Sequence, residues 1–196
     1  MPERRDCPII CIFGNSRVGP DEPEFAEAES LGRQLAEHGF IVCTGGYGGV
    51  MEAASRGARG VGGHVIGVTS AVFKSAPNHY LSEEIRTSSL FERMERLSQL
   101  GSGYVAVRGG IGTVAEVSVM WNLMVIKAIL PAPPLVFVGS GWRSVVESWK
   151  DHLAVDERDL PYVSFAANAH EASKDLARSL AALNRPSRLA EGSLTD

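Results

Sequence analysis

Short continuous apolar runs alternate along this chain with stretches in which apolar residues return every three or four positions, the spacings of buried strands and amphipathic helices. Pro8 to Phe13 is the first run and ends at Gly14-Asn15-Ser16. From Asp21 to His38 the apolar positions Phe25, Ala28, Leu31 and Leu35 predict a helix, closed by Gly39. Phe40 to Cys43 reads as a second strand, and Thr44-Gly45-Gly46-Tyr47-Gly48-Gly49 turns from it into a helix from Val50 to about Arg59. A third strand is expected from His64 to Val68. Thr69 to Ser89 is irregular apart from a short extended piece near Leu81 to Arg86, and loops of that length are often functional.

Leu90 to Leu100 predicts a helix with Leu90, Met94 and Leu97 at its apolar positions, and Tyr104 to Val107 a strand. The following helix, Thr113 to about Ile129, is apolar almost all round, so it is expected to be central or to lie at a subunit interface. Pro131 to Pro134 ends it. Leu135 to Val138 predicts a strand, Trp142 to Leu153 a helix and Pro161 to Ala166 a last strand. Asn168 with Glu171 has capping-box character and opens a final helix to about Leu183. Strands and helices that alternate in this way, with continuous apolar strands, predict an α/β, Rossmann-like doubly wound sheet of about seven mostly parallel strands with helices on both faces. One domain is expected over residues 1–183, followed by a disordered tail over 184–196.

Composition narrows the partners. The 196 residues suffice for one sizeable core, and a formal net charge of -4 without a basic cluster argues against nucleic acid or an anionic membrane as the main partner. Cys7, Cys11 and Cys43 have no CxxC spacing, which predicts free thiols and a reducing cytoplasm. No apolar signal core follows the first residues and no run approaches membrane-spanning length, so a soluble cytoplasmic protein is expected. The 5 histidines show no ligand spacing such as HExxH, and no metal site is expected.

The chemistry concentrates in Arg108-Gly109-Gly110-Ile111-Gly112-Thr113-Val114-Ala115-Glu116, a glycine-rich turn between a strand and a helix. Glycines let the backbone approach a ligand, and the unpaired amides of a first helical turn favour a phosphate. Gly109, Gly110 and Gly112 with the Thr113 hydroxyl are the candidate grip, and Glu116 stands just inside the helix. The same residues also suit a plain strand-to-helix turn with a first-turn charge. In a parallel sheet, ligands sit at the carboxyl ends of the strands, where the turns at Gly14 to Ser16 and at Gly45-Gly46 also lie, so three loops are expected to converge. Arg93 shares a helix ridge with Leu97 and Leu100. It either covers the core edge with its stem or is buried and needs an anionic partner. Arg96 is assigned to solvent or to a pair with Glu92.

Common nucleotide fingerprints are absent: neither glycine turn fits GxGxxG with its following acidic residue, and no GxxxxGK[ST] occurs. The order Gly14-Asn15-Ser16, Thr44-Gly45-Gly46-Tyr47-Gly48-Gly49-Val50-Met51-Glu52-Ala53, Gly62-Gly63-His64-Val65-Ile66-Gly67-Val68, Glu92-Arg93 and Gly109-Gly110-Ile111-Gly112-Thr113-Val114-Ala115-Glu116 nevertheless resembles the Lonely Guy family of nucleoside 5'-monophosphate phosphoribohydrolases, long mislabelled as lysine decarboxylases. The resemblance covers about residues 8 to 180.

The resemblance implies hydrolysis of the N-glycosidic bond of a purine or cytokinin nucleoside 5'-monophosphate, by a homodimer with no cofactor and with its sites close to the subunit interface. It implies that Glu116 is the catalytic carboxylate and Arg93 its partner. Gly109, Gly110, Gly112 and Thr113 would bind the 5'-phosphate, with Gly14, Ser16, Gly45 and Gly46 in the neighbouring loops. Where a family hydroxyl contacts ligand later in the helix stands Asn122, equally readable as a structural amide. Two departures are plain. Arg108 replaces the proline that usually opens the glycine motif, and Leu90-Phe91-Glu92-Arg93-Met94 lacks the lysine after the family arginine. Lys74, Lys127, Lys150 and Lys174 show no context for the Schiff base a decarboxylase needs. A second class of function is a non-catalytic nucleotide or molybdenum-cofactor carrier or sensor with a similar fold.

Overall fold

The computed structural model describes residues 7–183; the expected tail over 184–196 lies outside them. Seven strands, β1 (Ile9–Phe13), β2 (Ile41–Thr44), β3 (Val65–Ser70), β4 (Glu83–Thr87), β5 (Gly103–Ala106), β6 (Leu135–Val138) and β7 (Val163–Ala166), form one sheet in the order β4-β3-β2-β1-β5-β6-β7. Every pairing is parallel. Six helices connect them: α1 (Pro23–Glu37), α2 (Val50–Gly60), α3 (Leu90–Leu100), α4 (Ile111–Val125), α5 (Ser140–His152) and α6 (Ala169–Leu183).

Alternate strand residues face opposite layers, as the pleat requires. Ile10, Ile12, Val42, Val65, Val105 and Val136 pack with Phe25, Leu31 and Leu35 of α1, Ala54 of α2 and Leu176 of α6. Cys11, Phe13, Cys43, Val68, Tyr104 and Phe137 pack on the other side with Leu97 of α3, Met120 and Met124 of α4 and Trp142 of α5. Burial on both faces is why these strands read as unbroken apolar runs. No helix among the described residues is long and apolar enough to cross a membrane.

Two elements differ from the sequence expectation. The extended piece near Leu81 to Arg86 is a full strand, β4, paired with β3 from Ile66↔Glu83 to Ser70↔Thr87. It lies at the sheet edge, and its Glu83, Glu84 and Arg86 are edge residues of the kind that discourage further pairing, so no apolar run announces it. α4 stops at Val125, short of Ile129. Lys127 takes the left-handed conformation, φ 59°, with the Lys127 N–H donating to the Met124 carbonyl and the Ala128 N–H to the Leu123 carbonyl. Glycine usually holds that position. A lysine there conceals the stop.

Candidate active site

The strand order reverses between β1 and β5, so the chain leaves their carboxyl ends for helices on opposite faces, α1 and α4, and a crevice opens at that edge. Three loops are stitched together there through one residue. The Asn15 N–H donates to the Arg108 carbonyl at 3.1 Å, and the Asn15 carbonyl accepts from the Val50 N–H at 2.9 Å. Gly49 allows this approach: its φ is +67°, and a side chain on it would meet Ser16 at 2.5 Å. The result is a cleft of about 790 Å³ whose walls include Gly14, Asn15, Ser16, Tyr47, Phe73 and the run Arg108 to Thr113.

The grip forms at the start of α4. Gly110 is its N-cap and has no side chain to satisfy the first amides, and the first intrahelical bond runs from the Val114 N–H to the Gly110 carbonyl. The N–H groups of Ile111, Gly112 and Thr113 therefore have no intrahelical acceptor, which with the helix dipole suits an anion. Thr113 is buried against Gly109.

Arg93 reaches the cleft floor from α3, whose start is set by side chains. The Glu92 N–H donates to the Ser89 hydroxyl at 3.1 Å, and the Glu92 carboxylate accepts from the Ser88 N–H and hydroxyl at 2.7 and 2.6 Å. Arg93 Nε then donates to the Val68 carbonyl of β3 at 2.8 Å, and Nη1 donates to Glu116 Oε1 at 2.8 Å. Gly45 makes room, since a side chain there would overlap the guanidinium and stand 2.6 Å from Met51 Sδ. Burial pushes the Glu116 carboxyl above the usual carboxylate range, and the Arg93 charge and hydrogen bond oppose that rise. A carboxylate shifted in this direction suits general base work nearer neutrality.

Of the residues expected from sequence, Gly14, Ser16, Arg93, Gly109, Gly110, Gly112, Thr113 and Glu116 line this one cleft. Gly45 and Gly46 are buried behind it: Gly45 backs Arg93, and the Gly46 carbonyl accepts from the Asn78 N–H at 2.8 Å. Asn122 is elsewhere. It is exposed in a separate groove with Trp121, Val125, Trp149 and Leu153. Its spacing from Glu116 along α4 puts the two on different helix faces. Arg96 is exposed and donates to Gln99 at 3.4 Å, while Glu92 is engaged by Ser88. Arg108 stands on the cleft lip, 85% exposed, and donates to Glu24 of α1 at 2.5 Å. Tyr47, Met51 and Phe73 also line the cleft; the first two stand in the glycine motif without a site role assigned from sequence, and Phe73 was not singled out. The one signal for Phe73 was its place in the long irregular segment before α3.

The SLOG cluster4 family matches residues 7–130. A probable cytokinin riboside 5'-monophosphate phosphoribohydrolase of Oryza sativa subsp. japonica is 32% identical over 110 residues, 55% of this chain and 45% of the rice protein. A pyrimidine/purine nucleotide 5'-monophosphate nucleosidase of Escherichia coli is 24% identical over 186 residues, 88% of this chain and 40% of its own. The chain thus spans less than half the length of either relative. Among solved structures, the molybdenum cofactor carrier protein of Chlamydomonas reinhardtii superposes with a TM-score of 0.69 at 28% identity, covering 90% of this chain and 99% of the carrier.

Proposed function

This chain belongs to the SLOG cluster4 family, and we propose that it hydrolyses the N-glycosidic bond of a nucleoside 5'-monophosphate, releasing the free base and ribose 5-phosphate. One observation carries the reading: the buried Arg93–Glu116 pair opens into the same cleft as the unpaired amides of α4. Relatives named for this activity support it.

The 5'-phosphate sits on the amides of α4 and the Thr113 hydroxyl, which leaves the ribose over Glu116. The bond from C1' to the base nitrogen breaks, and positive charge develops on the sugar, where the Glu116 carboxylate stabilises it. Water adds its oxygen to C1', Glu116 takes the water proton and gives it up to the departing base nitrogen, so the base leaves neutral and the carboxylate is restored. Arg93 keeps the carboxylate aimed, anchored by the Val68 carbonyl at its other end.

We infer further that the chain works as a homodimer. Large apolar residues stand exposed on α3 (Leu90 and Phe91), on α4 (Ile111 and Val119) and just after α4 (Ile126). A second copy of this face is a fitting cover for them. The free thiols Cys7, Cys11 and Cys43 suit a reducing cytoplasm.

A second reading has its own support, because the carrier protein matches along nearly its whole length while the enzymes match over a part of theirs. Here the cleft would hold a nucleotide or a phosphorylated cofactor without turnover. Among the described residues, no group of three or more His, Cys, Asp and Glu is placed to hold a metal. The α4 amides, Thr113 and Arg93 fit such a cofactor through its anionic groups.

The deciding experiment incubates the protein with AMP, GMP, IMP and cytokinin nucleotides and measures free base and ribose 5-phosphate. Release that depends on Glu116 supports the hydrolase. Tight nucleotide binding with no release from any of them supports the carrier.

A further inference from the structure

We propose that Phe73, braced on Tyr47, is the stacking platform for the substrate's base and selects purine over pyrimidine nucleotides. The identity of the ligand rests on the reading above; the assignment of the platform rests on the following geometry.

The ligand's direction follows from the sheet. The phosphate grip lies beyond β5, the Arg93–Glu116 floor runs from α4 past Gly45 after β2 to the Val68 carbonyl of β3, and the segment after β3 forms the end of the cleft away from the grip. From β5 to β3 the sheet crosses three strand spacings, about 14 Å at about 4.8 Å each. A mononucleotide with its phosphate on α4 and its ribose over Glu116 therefore directs its base toward Tyr47, Phe73 and Ser75, which line that end.

The far end is a built wall. The Tyr47 hydroxyl donates to the Ser70 carbonyl at 2.9 Å and accepts from the Ser70 N–H at 2.8 Å, so the ring is clamped to the end of β3. Asn78 closes the loop over it, with Nδ2 donating to the Tyr47 carbonyl at 3.0 Å. Phe73 meets Tyr47 edge to face, with centroids 5.3 Å apart and planes at 73°, and its N–H donates to the Ser70 carbonyl at 3.1 Å. Tyr47 is buried, yet Phe73 keeps 44% of its surface open and faces the cleft. A held but uncovered aromatic ring in a polar cleft suits a flat aromatic guest.

Stacking strength grows with ring area, so the two-ring purines gain more than pyrimidines. Ser75 is the polar neighbour, and its hydroxyl both donates and accepts, so it distinguishes poorly among base edges. Selection should thus run between purine and pyrimidine, with little difference between adenine and guanine.

The test measures dissociation constants of AMP, UMP and ribose 5-phosphate on Glu116→Gln protein, alone and combined with Phe73→Ala or Phe73→Trp. Expected are tighter AMP than UMP binding, a loss of about 5-fold or more for AMP with Phe73→Ala, no change for ribose 5-phosphate, and recovery with Phe73→Trp. The same variants in the wild-type background, read as KM for AMP and inhibition by ribose 5-phosphate, give an independent measure. An unchanged AMP constant in Phe73→Ala, equal losses for AMP and ribose 5-phosphate, or no AMP binding at all overturns the platform. Failure of the wild-type protein to release base would sink the hydrolase reading and leave this binding comparison intact.

Discussion

Arg93 and Glu116 come from neighbouring helices on one face of the sheet and meet at 2.8 Å, with their side chains only 8% and 13% exposed. Each is the other's means of being buried. Glu116→Gln keeps an oxygen that accepts from Arg93, so the fold should hold while base release falls by about 100-fold or more. Glu116→Ala should lose the same activity and in addition about 3–5 kcal/mol of stability, since it strands a buried guanidinium. Initial rates and urea unfolding of the two variants separate these effects.

The raised Glu116 pKa has consequences of opposite sign for activity and stability. As a base the carboxylate must be ionised, so the acid limb of the rate profile should lie above the ordinary carboxylate range and be absent in Glu116→Gln. For stability, the folded state holds this proton more tightly than the unfolded chain. The contribution is complete below the unfolded pKa and is lost as pH climbs through the folded value. Wild type should therefore lose stability relative to Glu116→Gln across that window, and paired melting curves on buffers from pH 4 upward would reveal it.

Gly45→Ala tests the seat of Arg93. The added methyl overlaps a guanidinium held at two points, so Arg93 must leave either Val68 or Glu116. A fall in kcat of about 10-fold or more is expected, on the scale of a misplaced catalytic group. The control is Gly60→Ala at the exposed end of α2, whose methyl meets no protein atom within 4 Å and should leave kcat unchanged. Equal rates for Gly45→Ala and wild type would show that Arg93 needs no fixed seat.

Arg108 should matter to ligand more than to fold. Its bond to Glu24 is a surface pair, of a class worth about 0–1 kcal/mol, and exchanging it for a phosphate contact costs little. Arg108→Ala is expected to shift stability by no more than about 0.5 kcal/mol. It should weaken ribose 5-phosphate inhibition several-fold at low salt, with the difference from wild type shrinking as salt is added.

The apolar face of α3 and α4 predicts a dimer in solution. Phe91 is 88% exposed and is the natural centre of a contact. Light scattering at micromolar concentration should give twice the chain mass, and Phe91→Glu should give the chain mass. A monomeric wild type would contradict the homodimer.

What the sequence disclosed, and what it withheld, follows from where each signal resides. Strands such as Leu135–Val138 and the capping of α6 were legible because burial and capping leave local marks. The expected cap is present, with the Glu171 N–H donating to Asn168 Oδ1 at 3.0 Å, while the Glu171 carboxylate accepts from the Ala167 N–H, one residue before the Asn168 N–H of a full box. Arg93 was ambiguous, since its ridge fitted both a snorkelling and a buried guanidinium. The deciding groups, the Val68 carbonyl and Glu116, are distant in sequence. Phe73 and Tyr47 were hidden for the same reason. They meet only because β3 ends beside the Gly45–Gly49 turn, and nothing in the spacing of a loop records that.

The single residue Asn15, whose N–H is bonded to Arg108 and whose carbonyl is bonded to Val50, has a dynamic consequence. Neither neighbouring loop can peel away without breaking a bond to the shared residue, so the amides of Asn15 and Val50 should exchange with solvent together, in one opening event. A ligand seated only on the start of α4 would then slow exchange at the end of the Gly45–Gly49 turn as well, and protection would spread across loops the phosphate never touches.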